Sequence, residues 1–306
     1  MQTPAVFIDR LNKFYKDNWV IKNLSLEVPP GEVFALVGPN GAGKTTIIRI
    51  LMGLSSPSDG IVRVLGLNPR KQTLQLRSNT GYVMQQIALD PYLTGRENLD
   101  IFCDLFNLPS KQKAQRINKL LGWAKLSDAA DRLVRTYSGG MKRQMNLLIG
   151  LLHDPDLLFL DEPTLGLDVQ ARRQLWTLIA DIKKQGTTII LTTHYLEEAN
   201  ALCDSVGVIV NGNLAALGSP ERLKTEIAND LHQLKVSFDM LPSLEKLSLP
   251  VTPTISNNQL HFMGSHEILW RTLSQLQNEF GDQVRDISYL QPSLDDVVMK
   301  ISESIN

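Results

Sequence analysis

The stretch "GPNGAGKT", Gly38 to Thr45, follows the apolar run "VFALV" directly and opens the helical pattern "TTIIRILMG". Its spacing, G-x-x-x-x-G-K-[ST], is what a phosphate cradle needs. Gly38, Gly41 and Gly43 let the backbone wrap round a β-phosphate, Lys44 sets a cation near the β- and γ-phosphates, and the Thr45 hydroxyl can hold Mg²⁺. Pro39, Asn40 and Ala42 complete the loop, and Thr46 continues it into the helix. A cradle alone leaves ATPases, GTPases and kinases all open.

A second stretch narrows the chemistry. "LLFLDEPT" ends an apolar run on Asp161, which is placed to hold Mg²⁺ through water, and Glu162 follows at once with a carboxylate able to orient and deprotonate an attacking water. Gln85, closing "GYVMQ", can complete the Mg²⁺ and water shell. His194, after "TIILTT", can contact a γ-phosphate and respond to its loss. Both stand at strand ends, where ligands of open α/β sheets collect. Tyr15, in "LNKFYKDNW", is a candidate for stacking on an adenine ring, a role that competes with that of an ordinary surface aromatic. A hundred residues beyond the first cradle comes "YSGGMKRQ", Tyr137 to Gln144, a second glycine turn before a helix and so a second place for bare backbone N–H groups to meet an anion.

These residues need strands to carry them and helices to face them. "VFALV", "LLFL" and "TIILTT" have the length and apolar content of strands covered on both faces, and helical patterns follow them, which predicts an α/β layer around a mostly parallel sheet. From about residue 86 to 137 the strand-like runs stop. "GRENLDIFCDLFNL" and "KQKAQRINKLLGWAKL" repeat apolar residues at three- and four-residue spacing, so a helical subdomain is inserted into the sheet domain. After residue 220 the pattern changes again. "HQLKVSFDM", "NNQLHFM" and "VRDISYL" read as strands and "EILWRTLSQLQNEF" as a helix, giving a first domain over 1–220 and a small α+β accessory domain over 221–306.

The 306 residues carry 31 basic and 32 acidic side chains, a net charge of -1 that gives no whole-chain case for nucleic acid or an anionic membrane. Cys103 and Cys203 have no metal-site spacing. No stretch reaches the roughly 18 apolar residues a membrane span requires, so a cytoplasmic chain is expected, attached to a membrane only through a partner.

Taken in order, "GPNGAGKTT", Gln85, "YSGGMKRQ", "LLFLDEPTLGLD" and His194 resemble the nucleotide-binding cassette of ABC ATPases over about residues 5–220. Tyr137 and Met141 depart from the commoner L-S-G-G-Q, and Met84 stands where many members have proline. The first two variants are similar to the export branch of drug-resistance and ABC-2 type transporters. The tail "YLQPSLDDVVMKI" resembles an ending common in that branch. A soluble ABC ATPase acting on nucleic acid or the ribosome would call for a long coiled coil or a second cassette with a basic linker; one cassette and balanced charge speak against it.

The resemblance implies ATP and Mg²⁺ as cofactors, with Thr45, Gln85 and Asp161 about the metal and Glu162, His194 and Gln85 in catalysis. It also implies that two cassettes, a homodimer on the intact motifs, face head to tail. Ser138, Gly139 and Gly140 of one chain would then close on the γ-phosphate held by Lys44 of the other, with Asp168 of "LGLD" at the same seam. A separate integral membrane permease would dock at "IALDPYLTGRENL", Ile87 to Leu99, and hold the chain at the cytoplasmic face of the membrane.

Overall fold

Three runs in which every residue is buried form the middle of the main sheet: Val33–Val37, Leu157–Asp161 and Thr188–Thr193. The computed structural model describes residues 3–15, 18–243 and 249–305. They fall into two compact units, Met1–Gly218 and Ser219–Asn306.

The first unit runs β1 Val6–Tyr15, β2 Asn18–Val28, β3 Val33–Val37, α1 Lys44–Leu51, β4 Asp59–Val64, α2 Thr73–Ser78, β5 Thr80–Val83, α3 Gly95–Leu105 and α4 Ser110–Trp123. It continues α5 Gly139–Leu151, β6 Leu157–Asp161, α6 Val169–Lys184, β7 Thr188–Thr193, α7 Leu196–Leu202, β8 Ser205–Val210 and β9 Asn213–Gly218. The main sheet has the order β5-β6-β7-β3-β8-β9, parallel throughout except for the β8–β9 pair. Parallel order sets the carboxyl ends of β3, β5, β6 and β7 along one edge, and the loops after them carry the residues with chemistry. Of these, Asp161 is the last residue of its strand, Glu162 and His194 each follow theirs directly, and Gln85 stands two residues past Val83, in a bend.

A second sheet, β2-β1-β4, is antiparallel. Its Val6, Ile8, Leu11, Ile21, Leu24 and Val64 bury against Phe34, Ile47, Ile48 and Phe159 to make the unit's core. Between β5 and β6 lie α3, α4 and α5 without a strand among them. The entry to α3 is fixed locally: Thr94 Oγ1 accepts from Glu97 N at 3.1 Å and Glu97 Oε2 accepts from Thr94 N at 2.7 Å, a reciprocal cap that satisfies two helix-end donors. Cys103 is fully buried on α3, while Cys203, just past α7, is half-buried.

The second unit contains α8 Pro220–Ile227, β10 His232–Phe238, β11 Thr254–Ser256, β12 Gln259–Gly264, α9 His266–Phe280, β13 Val284–Leu290 and α10 Leu294–Ile305. Its antiparallel sheet, β11-β12-β10-β13, buries Leu234, Val236, Leu260 and Phe262 against Leu269, Leu273 and Leu276 of α9. The alternation of buried and half-buried residues along β10 is that of a sheet covered on one face. Ser293 caps α10 through Asp296 N at 3.2 Å, and the Asp296 carboxylate returns to Ser293 N at 2.7 Å.

Candidate functional site

The loop from β3 to α1 gathers three left-handed glycines, with φ of 144° at Gly38, 81° at Gly41 and 106° at Gly43. Two of them are held by their surroundings as well as by φ. A Cβ on Gly38 would lie 2.1 Å from the carbonyl oxygen of Ile209 in β8, and one on Gly43 would lie 2.9 Å from that of Val20 in β2. Gly41 faces open space. The loop is therefore closed to side chains at Gly38 and Gly43, where strands β8 and β2 approach it, and its N–H groups run into the start of α1, where the helix dipole favours an anion. Lys44 opens α1, is buried, and donates from Nζ to Gly38 O at 2.6 Å and to Pro39 O at 3.0 Å. Burial pulls its pKa down, and the carboxylates of Glu162 and Asp161 push it back up, so the cradle's cation and the two acids at the end of β6 share one electrostatic site. Thr45 is exposed on the first turn and Thr46 half-exposed.

Asp161 is 4% exposed and held at both oxygens. Thr192 Oγ1 donates to Oδ1 at 2.5 Å and Tyr82 OH to Oδ2 at 3.4 Å. Burial and this carboxylate together push the Tyr82 phenol up to about 12, so it stays a donor. Glu162 adopts φ of 48°, a backbone state that costs a residue with a Cβ on the order of 1–3 kcal/mol. Its N–H donates to Thr192 O at 3.0 Å and to Thr192 Oγ1 at 3.2 Å, and Oε2 lies 3.2 Å from His194 Nδ1. The Glu162 side chain is 16% exposed. A carboxylate so placed can accept a proton from water while the imidazole orients it.

Gln85 is exposed, with its carbonyl bonded to Arg143 at 2.8 Å. Thr45, Gln85 and Asp161 offer oxygen donors of the kind a hard divalent cation takes, Asp161 being buried and Thr45 and Gln85 exposed. Tyr15 ends β1, half-exposed, with Lys13 Nζ 4.5 Å from its ring centre and its hydroxyl 3.3 Å from Ser55 Oγ.

The second glycine turn opens α5. Ser138 caps α5 by accepting from Met141 N at 3.2 Å, and Asp168 caps α6 by accepting from Ala171 N at 2.8 Å. The two caps are neighbours, since a Cβ on Gly140 would lie 2.9 Å from Ala171 Cβ, while Gly139 is open. Ser138, Gly139 and Asp168 are exposed. The structure thus brings Lys44, Asp161, Glu162 and His194 together and sets Ser138, Gly139, Gly140 and Asp168 together at the adjoining N-termini of α5 and α6.

Sequence reasoning passed over Thr192, Tyr82 and Arg143. The first is one of three threonines in "TIILTT", and nothing in the run singles it out. Arg143 is signalled by a cation three residues before Asn146 on a helix whose following turns are wholly buried.

Residues 21–165 match the family model described as ABC transporter. Nod factor export ATP-binding protein I of Cupriavidus metallidurans is 44% identical over 250 residues, covering 81% of this chain and 82% of its own. Daunorubicin resistance ATP-binding protein DrrA3 of Streptomyces coeruleorubidus is 35% identical over 318 residues, 99% of this chain and 97% of its own. Among solved structures, cbiO1 from Clostridium perfringens, part of the ABC transporter complex cbiONQ, superimposes with a TM-score of 0.69 at 27% identity, over 74% of this chain and 92% of that one.

Proposed function

This chain belongs to the ABC transporter family, as one of its ATP-binding subunits, and from that premise we propose that it powers export through a separate membrane subunit. The cassette binds and hydrolyses ATP. Lys44 and the N–H groups of Gly38 to Thr46 hold the phosphates, Tyr15 carries the base, and Glu162, steadied by His194, takes the proton from the attacking water. Thr45, Asp161 and Gln85 would hold Mg²⁺, which would supply positive charge to offset that of the phosphates. The supporting observation is the convergence of Asp161, Glu162 and His194 on the cradle that contains Lys44.

Ser138, Gly139, Gly140 and Asp168 serve the ATP of a second, identical chain. What supports this is their exposure as a pair of helix N-termini, with no side chain from the chain's own cradle bonded to either cap. The interface is two-fold and isologous, with ATP bonded from both sides, so hydrolysis removes a bridging group and favours opening. The permease docks against the segment Ile87 to Leu99 and the helices beside it, where Tyr92, Ile101 and Leu105 are exposed. No helix among the described residues is long and apolar enough to cross a membrane, and we place the chain peripherally on the cytoplasmic face through that contact. The accessory domain over 221–306 is proposed as a separate module.

Affinity purification from native membranes tests the assignment. It should recover a polytopic membrane protein in stoichiometric amount. Recovery of ribosomes or DNA in its place contradicts export.

A further inference from the structure

Arg143 is a buried cation, 3% exposed, in the second turn of α5, five residues after Ser138. Among the described residues its hydrogen bonds all go to backbone carbonyls. Nε donates to Pro163 O at 2.5 Å, Nη2 to Glu162 O, and Nη1 to Met84 O at 3.1 Å and Gln85 O at 2.8 Å. Taking a guanidinium out of water is costly, and burial pulls its pKa down while Glu198, Asp161 and Glu162 counter the pull. A planar fork of five donors can spread over four carbonyls of two separate segments, which a lysine ammonium cannot do from one nitrogen.

The segments joined are specific. One is the turn in which Glu162 holds its left-handed φ of 48°, and Arg143 bonds both that residue's carbonyl and the next. The other is the bend at Gln85, which α5 grips again one turn later, where Asn146 Nδ2 donates to Met84 O at 3.1 Å and Asn146 Oδ1 accepts from Ala88 N at 3.4 Å. A strained residue persists where its surroundings over-determine it. Thr192 holds the amide side of Glu162 and Arg143 holds the carbonyl side.

We infer that Arg143 is a positioning residue that fixes the Glu162 backbone and ties it to the Gln85 segment and to α5. The helix that begins at Ser138, and so faces the nucleotide of the second chain, is thereby joined to the carboxylate that acts on this chain's own nucleotide. The inference rests on the reading of Glu162 as the base, and the link to the second chain on the reading of Ser138 given above.

Steady-state hydrolysis by the full-length chain, at saturating and subsaturating ATP, tests it with Arg143→Lys, Arg143→Met, Glu162→Gln and the double variant Arg143→Lys/Glu162→Gln. Displacing a base by about 1 Å costs on the order of 10²-fold, so kcat should fall roughly 10- to 100-fold in both Arg143 variants while KM for ATP stays within about threefold. In the Glu162→Gln background the added Arg143→Lys should change the residual rate by less than about twofold, because residues acting as a unit are not additive. An equal loss in both backgrounds, or kcat near wild type in both Arg143 variants, overturns the inference. So does a variant that binds no nucleotide or melts without cooperativity, which assigns Arg143 to the fold. Near-normal turnover of Glu162→Gln alone overturns instead the reading of Glu162 as the base.

Discussion

At the scale of residues the account rests on backbone geometry as much as on side-chain chemistry. Gly38 is the sharpest case, since a methyl group there meets the carbonyl of Ile209 at 2.1 Å in a φ of 144° that L residues rarely adopt. Gly38→Ala should cost on the order of 1–3 kcal/mol or more, read by chemical denaturation, and should abolish nucleotide binding by distorting the cradle. Glu162→Gln removes the proposed proton acceptor and leaves the cradle intact, so turnover should fall by about 10² to 10⁴ while ATP still binds, as measured by steady-state assay and equilibrium titration. Stripping divalent cations with EDTA should reduce hydrolysis to background and Mg²⁺ should restore it. Unchanged hydrolysis would contradict the role given to Thr45, Gln85 and Asp161. Lys44, Thr45, Asp161 and Glu162 were legible in the sequence because each lies at a strand end or within a strand-to-helix joint, a local pattern. Thr192 and Tyr82 were not, because their value comes from β6 lying between β5 and β7, and neighbour order in a parallel sheet is not written in any one segment.

Between residues and molecule stand the elements, and here the sequence was clear where burial is complete and silent where strands are bent. The runs at β3, β6 and β7 are apolar throughout because both faces of the sheet are covered. The strands β1 and β2 escaped notice for a physical reason. In β1 the buried positions run Val6, Ile8 and then Leu11, with a register shift between Ile8 and Leu11 and a φ of 47° at Arg10. In β2 the same break falls between Ile21 and Leu24, with a φ of 44° at Asn23. An extra residue changes the phase of a two-residue period, so neither strand shows clean alternation along its length. The helices α3 and α4 were legible from their spacing, and the capping box at Thr94 and Glu97 marks the start of α3. The contact of α5 with α6 at Gly140 and Ala171 offers a test at this scale. Gly140→Val must push the two N-termini apart at a cost of about 1–3 kcal/mol. ATP-driven pairing should weaken while nucleotide affinity of the single chain, by titration, stays unchanged.

For the whole molecule the question is why one chain carries two glycine turns that each open a helix. Ser138 and Asp168 cap their own helices and stand exposed, whereas Lys44 lies buried with Asp161 and Glu162 acting on it. In the proposed pair, a second copy related by a two-fold axis would let each turn meet the other's nucleotide. ATP can close such a pair only by binding the closed state more tightly than the open one. The central claim is that each chain supplies half of each reaction chamber. Light scattering on the Glu162→Gln chain, with and without Mg-ATP, measures this most directly. The account predicts a shift from one-chain to two-chain mass on adding Mg-ATP, lost when Ser138→Arg is added although the single chain still binds ATP. A chain that stays monomeric with ATP bound, or a Ser138→Arg monomer otherwise wild type that hydrolyses ATP at full rate, would contradict it.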